Sequence, residues 1–393
     1  MRRKIFTIIL SLIAFIGAKA QDPYTEILGQ IEINSTTLAA LREQTDARKL
    51  ENKTGLSPSD PEVEFGYLWG NPSSIGGRKD VSIEQQLDFP TVYSQRNRLS
   101  KLKNEGEEYL YAAKRMEIIL RAKTLLIEMT YYNSLSDIYN RQLEGATHIA
   151  EAYERMLETG EASQLDNNKA RLNLVHSQRA LREISAEIER INAELKSLNG
   201  GKEVVFTCKS FSITPLPQDF DSWYEGMENA NPALRYLKSQ VEVRERQVKL
   251  SKQSGLPKLS LGYMGEFVEG ENYQGITFGF SIPLWENKGK VKQAKSEAVV
   301  SRLEEQDAKV AYYANLKALY LKATNLQETI NGYREALGNA DSRQMLIKAL
   351  ESGEISIIEY VRETDYYLEA AEKLLAAQRD LELTMAELCS AML

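Results

Sequence analysis

Cysteine and histidine are almost missing from this chain, two of each in 393 residues. Cys208 and Cys389 are too few for a disulfide scaffold, and neither sits in a CxxC metal spacing. They read as isolated thiols, although a single bridge between them would be possible in an exported protein. His148 and His176 both fall in helical repeat sequence, where a seam or surface position is the simplest assignment. No G-x-S-x-G, phosphate-loop or dinucleotide fingerprint accompanies them. A catalytic pocket thus has no visible nucleophile or base, and no enzyme is expected. The nine methionines are scattered, so neither a metal nor a cofactor is expected. No apolar run of about 18 residues follows residue 20, which excludes a spanning helix in the body of the chain.

What is present begins with an export signal. Arg2-Arg3-Lys4 is a basic start, Ile5 to Gly17 an apolar core, and Ala18-Lys19-Ala20 a small-x-small cleavage site. Residues 1–20 are expected to be a signal peptide cut before Gln21, the apolar core being too short for a membrane anchor. They hold four basic and no acidic residues, so their removal takes the net charge from -7 to -11. That balance speaks against a nucleic-acid partner.

A short phrase occurs twice. It reads Leu157-Glu158-Thr159-Gly160-Glu161-Ala162-Ser163 and, 193 residues later, Leu350-Glu351-Ser352-Gly353-Glu354-Ile355-Ser356; the same offset relates Pro90 to Pro283. The chain is therefore read as two copies of one unit, about 24–198 and 232–391, joined by a segment at about 199–231. Each copy predicts helix, strand, strand, very long helix, tight turn and return helix. Residues 24–55 read as one first helix stopped by Gly55. From Thr91 to Glu158 there is no proline, and a continuous helix would be about 100 Å long. The return helix carries Leu174, Leu181, Ile188 and Leu195 at heptad spacing, with Ile184, Ile191 and Leu198 three places on, which is coiled-coil patterning. The second long helix is placed at about 287–350. In the joining segment, Val204-Val205-Phe206 looks strand-like.

Four segments alternate with period two. Val63, Phe65, Tyr67 and Trp69; Val81, Ile83, Leu87 and Phe89; Leu259, Leu261, Tyr263 and Phe267; and Ile276, Phe278, Phe280 and Ile282 are separated mainly by Ser, Thr, Glu, Gln, Asp and Gly. Period two is the mark of a strand with one apolar face. The helices are committed to their own seams, which leaves nothing apolar to cover that face. Lipid on one side and water on the other is the remaining arrangement, as in a membrane barrel. Trp69 and Trp285 stand at strand ends, where they serve either as an aromatic belt or as packing residues. Four strands cannot close around a water-filled interior, and sheet edges in lipid must be paired, so an oligomer is required.

Signal peptide, duplication, paired strands, proline after the strand and long hairpins together resemble the TolC family of outer-membrane efflux channels. The stretch Ser281-Ile282-Pro283-Leu284-Trp285-Glu286-Asn287-Lys288-Gly289-Lys290 is similar to that family's strand-end signature, and the resemblance covers nearly all of the mature chain. It implies a mainly α fold with a small β part. Long hairpins would form a periplasmic α-barrel, and four strands per chain would join a trimeric twelve-stranded barrel in the outer membrane, with residues 199–231 as an equatorial belt. The implied partners are two further copies of the chain, outer-membrane lipid, a periplasmic adaptor (membrane fusion) protein and an inner-membrane pump of the RND type. The implied role is a passive exit duct for small molecules, drugs or metal ions.

The same resemblance places the repeated turns at the periplasmic tips, with Leu157, Gly160, Ser163, Leu350, Gly353 and Ser356 as adaptor-docking positions. Taken by themselves the glycines suit a left-handed helix end and the serines an N-cap. Asp166 and Glu359, six residues beyond each glycine, match lumen-facing acids of the family and would form the periplasmic gate. Three residues further some members carry another acid, whereas this chain has Lys169 and Arg362. Either the ring of like charge is interrupted there, or those cations form interchain salt bridges. A different class of protein, a periplasmic coiled-coil spacer, would share the helices but has no need of four alternating strands.

Overall fold

The computed structural model describes residues 23–211, 215–285, 287–338 and 342–393. The expected signal peptide, residues 1–20, lies outside the described residues. Element order is α1 (Thr25–Asn34), α2 (Thr36–Glu51), β1 (Glu62–Trp69), β2 (Gly77–Leu87), α3 (Pro90–Thr159), α4 (Gln164–Leu198), α5 (Phe220–Ala230), α6 (Pro232–Gln253), β3 (Lys258–Val268), β4 (Glu271–Ser281), α7 (Lys290–Leu337), α8 (Ser342–Glu351) and α9 (Ile357–Leu388). The fold is mainly α with a small β part, and the order of elements is duplicated.

The chain divides into two compact units. One comprises residues up to Thr37, Ile118–Pro217 and Leu319–Ser390. Its core is a helical seam. Tyr24, Ile27, Leu28 and Ile31 of the N-terminal segment are buried, as are Leu125, Leu126, Ile127 and Met129 of α3, Ile191 and Leu195 of α4, and Met385 and Leu388 of α9. The heptad positions Ile184 and Ile191 of α4 face this interior, as their spacing predicts.

The other unit comprises Leu38–Glu117, Gln218–Ala318 and Ala391–Leu393. Its helices are joined by ion pairs such as Arg42 to Glu108 at 2.8 Å and Arg244 to Glu297 at 3.1 Å. Helix α5 is anchored by an aromatic group in which Tyr313 meets Phe220 and Tyr224 edge-on, with the Lys317 ammonium 4.3 Å from the Phe220 ring centre. Burial pushes the Tyr224 phenol up to about 12. Asn231 caps α6 with Pro232 at its first position, so that the missing N–H costs nothing.

All four strands form one antiparallel sheet in the order β1-β2-β3-β4, in which the β2–β3 pairing joins the two copies of the repeat. Among the described residues, both outer strands, β1 and β4, have a free edge.

Three local expectations are corrected. The first helix is two helices, because Ser35 is extended (ψ 112°). Ser35 stands in the cap-forming run Asn34-Ser35-Thr36-Thr37, and a segment remote in sequence packs against the break. Gly200, at φ +65°, brings its backbone so close that a Cβ there would stand 2.3 Å from the Asn34 carbonyl oxygen, while Asn34 donates to Asn199 Oδ1 at 3.0 Å. The second long helix starts at Lys290, since Gly289 has φ +85° and a turn from Asn287 to Lys290 precedes it. It ends at Leu337, and α8 is a separate helix. Residues 204–206 are not a strand. Among the described residues no ladder partner lies alongside, and the side-chain amide of Asn133 on α3 donates to the carbonyls of Phe206 and Cys208 instead. The two cysteines, read from sequence as isolated thiols, need no correction: Cys208 and Cys389 are both free and half-buried.

Candidate functional site

Two places concentrate the residues singled out by sequence: the paired turns and the sheet. Each turn ends a helix with the same hydrogen-bond set. Gly160 N–H donates to Leu157 O at 3.2 Å and Glu161 N–H to Met156 O at 2.7 Å; Gly353 N–H donates to Leu350 O at 3.1 Å and Glu354 N–H to Ala349 O at 2.9 Å. These are the two bonds of a Schellman cap, closed through a left-handed residue. Gly160 has φ +79° and Gly353 φ +73°, and a Cβ at either would meet nothing within 4 Å. The backbone requires glycine here, and the space in front of it is open.

The return helices start equally alike. Ser163 Oγ accepts from the Asp166 N–H at 3.1 Å, and Ser356 Oγ from the Glu359 N–H at 3.3 Å. The Glu359 carboxylate in turn accepts from the Ser356 N–H at 2.8 Å, completing a capping box. In the first copy the Ser163 hydroxyl donates to Asp166 Oδ2 at 2.6 Å. The two acids expected to gate a pore are thus also the capping acids of α4 and α9, a role that Ser-x-x-acid spacing signals and that the reading by family position missed. Hydrogen bonds from Ser163 and Lys169 hold the Asp166 carboxyl below its ordinary 3.8. Bonds to Ser356 do the same for Glu359, ordinarily 4.5. Lys169 pairs with Asp166 within the chain at 3.0 Å, and Arg362 with Glu363 at 3.1 Å.

The second turn packs on a buried cluster built with the first hairpin. Ile149 of α3, Ala170 of α4 and Ile357 and Tyr360 of α9 are buried together, with Leu350 and Ile355 of the second turn packed against them. Leu157 of the first turn is half-buried. Beside the cluster, α4 and α9 wall a groove that contains His176 and Asp365. Burial pushes the Asp365 carboxyl above its ordinary value, against the pull of His176.

The sheet's register makes its two faces explicit. Val63, Ile83, Tyr263 and Ile276 are successive cross-strand partners and form one row. They are 71%, 45%, 40% and 82% exposed, so none of the described residues covers them. Neighbouring rows on that face hold Phe65 and Val81 on one side, and Leu261 with Phe278, then Leu87, Leu259 and Phe280, on the other. The opposite face carries Glu64, Ser82, Glu84, Thr277, Asp80 and Glu266. Asp80 and Glu266 are directly opposite each other; Arg78 neutralises that contact, reaching Asp80 at 2.7 Å and Glu266 at 3.1 Å. No sequence signal reveals this group before the register is known. Trp69 ends β1 at one end of the sheet, and Trp285 follows β4 at the other; both are well exposed.

No protein-family model matches the sequence, and no curated protein sequence matches it. Among solved structures, the chain is similar to CusC, described as a transmembrane channel, with a TM-score of 0.79 at 12% identity over 95% of this chain and 92% of that one. It is similar to the outer-membrane channel CmeC of Campylobacter jejuni (TM-score 0.72, 16% identity, 94% of this chain and 85% of that one). The open state of the MtrE outer-membrane channel of Neisseria gonorrhoeae gives a TM-score of 0.72 at 11% identity, over 94% of this chain and 89% of that one.

Proposed function

We propose that this chain, whose fold is that of TolC-like outer-membrane channels, is itself an outer-membrane exit duct. It performs no catalysis. A pump and an adaptor deliver small molecules, drugs or metal ions, and the duct carries them outward. The observation that carries this reading is the sheet: one mainly apolar face that none of the described residues covers, one mainly polar face, and two edges open among those residues. Eleven-residue strands such as β2, β3 and β4, tilted by about 40°, give a band of about 25–28 Å, the height of a lipid-facing barrel wall. Unpaired edges cannot remain in hydrocarbon. Three copies, β4 of one beside β1 of the next, close twelve strands around a water-filled lumen. A coiled-coil spacer leaves the apolar face without a cover.

The helical hairpins form the periplasmic tunnel in this reading, and residues 199–231 its belt. The twin turns are the end that meets a periplasmic adaptor protein, itself coupled to an RND-type pump. Gly160 and Gly353 support that placement because the space before them is open. Asp166 and Glu359 are the proposed gate carboxylates. Membrane fractionation with unheated gel electrophoresis tests the assembly: a heat-sensitive trimer in the outer-membrane fraction is expected, and a soluble monomer refutes it.

A further inference from the structure

The apolar face of the sheet carries four polar side chains, Gln85, Gln274, Lys79 and Asn272. Two are satisfied by the sheet's own surroundings. Gln85 donates to the carbonyls of Ser59 and Gln86 at 2.7 and 2.8 Å, and Gln274 accepts from the Tyr263 hydroxyl at 2.7 Å. The other two share one row, Tyr67–Lys79–Phe267–Asn272, near the end where the chain turns from β1 to β2 and from β3 to β4. Lys79 is exposed, and among the described residues it has neither a carboxylate nor a ring partner. Four acids stand at this end: Asp80 and Glu266 lie on the opposite face and are engaged by Arg78, Glu271 lies on that same opposite face and accepts from the Tyr273 hydroxyl, and Glu269, in the turn between β3 and β4, reaches over Gly76.

The aromatic neighbours of Lys79 lean apart. Tyr67 reaches over Gly77, where a Cβ would stand 2.8 Å from the phenol oxygen, and meets Trp69 edge-on with ring centres 5.8 Å apart. Phe267 leans over Gly265, where a Cβ would stand 3.1 Å from its ring. The two glycines make room for the rings and leave the ammonium open to the outside. A cation in an apolar row, flanked by Tyr, Trp and Phe at the rim of a lipid-facing band, has the chemistry of an interfacial anchor for an anionic headgroup.

We propose that Lys79, framed by Tyr67, Trp69 and Phe267, binds the phosphate of a lipid headgroup in the leaflet at the hairpin end of the sheet. This rests on the reading of the sheet as a membrane barrel. It differs from a general affinity for lipid in being local: one end of the band, one cation per chain, one headgroup class.

The test uses the full chain with Trp69 as sole tryptophan, Trp223 and Trp285 being replaced by phenylalanine, in phosphatidylcholine vesicles containing lipids with brominated chains. Quenching of Trp69 by brominated phosphatidylcholine reports insertion. Quenching by brominated phosphatidic acid in a phosphatidylcholine background reports local headgroup preference. The expected preference for phosphatidic acid is about fivefold, from about 1 kcal/mol per interfacial lysine. Lys79→Gln should bring it to parity and Lys79→Arg should keep it. Parity in the parent chain, or an unchanged preference in Lys79→Gln, overturns the proposal. So does loss of the preference on adding millimolar inorganic phosphate, which assigns the site to a soluble anion. A Trp69 that brominated phosphatidylcholine does not quench refutes the barrel reading itself. Native mass spectrometry of the chain with all three tryptophans, which should retain more phosphatidic acid than its Lys79→Gln variant, guards against damage from the tryptophan replacements.

Discussion

Replacing the turn glycines separates what the turn needs from what a partner needs. At Gly160 and Gly353 the backbone is left-handed, at φ +79° and +73°, and a Cβ meets nothing within 4 Å. Substitution by alanine therefore costs conformational strain without a clash, about 1–2 kcal/mol per site. Reduced freedom of the unfolded chain returns about 0.4–1 kcal/mol. The net loss is about 1 kcal/mol, about fivefold in the local opening equilibrium, and it should be equal at the two sites because their hydrogen-bond sets are the same. Glutamine has the same backbone cost and a far larger side chain directed into the open space. If the turns only reverse the chain, Gly160→Ala and Gly160→Gln behave alike, as do the pair at Gly353. If an adaptor seats there, alanine leaves efflux nearly intact and glutamine abolishes it. Amide exchange of peptides covering 155–168 and 348–361 measures the strain. Susceptibility to exported compounds, in cells lacking their own channel, measures docking. Equal efflux from the alanine and glutamine variants would refute the docking role, and unequal strain at the two sites would refute the equivalence of the turns.

The capping carboxylates predict a pH response. Because the folded state lowers both pKa values, their stabilisation is present above the ordinary values of 3.8 and 4.5 and is lost as pH falls below them; amide exchange at the starts of α4 and α9 should accelerate there, and less so in Ser356→Ala. Glu359→Gln keeps the capping box but removes the charge, so a changed single-channel cation preference in this variant reports the gate apart from the cap. Ile276→Arg places a charge in the middle row of the apolar face and should cost about 2–4 kcal/mol of folding into vesicles, whereas a water-facing residue that is 82% exposed would show almost no effect. Gly200→Ala should be more destabilising than Gly160→Ala, since its Cβ would lie 2.3 Å from the Asn34 carbonyl oxygen; thermal unfolding of the two variants compares them.

Much of the architecture is legible in the chain because it depends on period. Two-residue alternation locates all four strands, and heptads in α4 locate buried positions such as Ile184 and Ile191. Gly160 and Gly353 are legible because a repeated Gly followed three residues later by Ser is local chemistry. The failures have other causes. The break at Ser35 has a local signal that the apolar periodicity hides, the cap-forming run Asn34-Ser35-Thr36-Thr37, whereas the packing of Gly200 against Asn34 is remote in sequence. Val204 to Phe206 have strand-forming side chains, but a strand needs a neighbour, and Asn133 of α3 takes the carbonyls instead. The Arg78–Asp80–Glu266 group and the row containing Lys79 depend on register, which turns and pairing decide. Asp166 and Glu359 were a question of role rather than position: the spacing to Ser163 and Ser356 already contained the cap.

The open edges of the sheet have a consequence for inheritance and engineering. In the proposed trimer, where β1 of each copy finds β4 of another, the wall is complete only when the third copy arrives, and no single copy has a finished share of it. Every ring then samples its members jointly. In a cell expressing equal amounts of intact chain and a chain impaired at one edge, about one ring in eight would contain intact copies alone. A defect of that kind is dominant even though each gene product is made independently, and conversely one edge variant would be enough to silence the resident channels of a cell without deleting their gene.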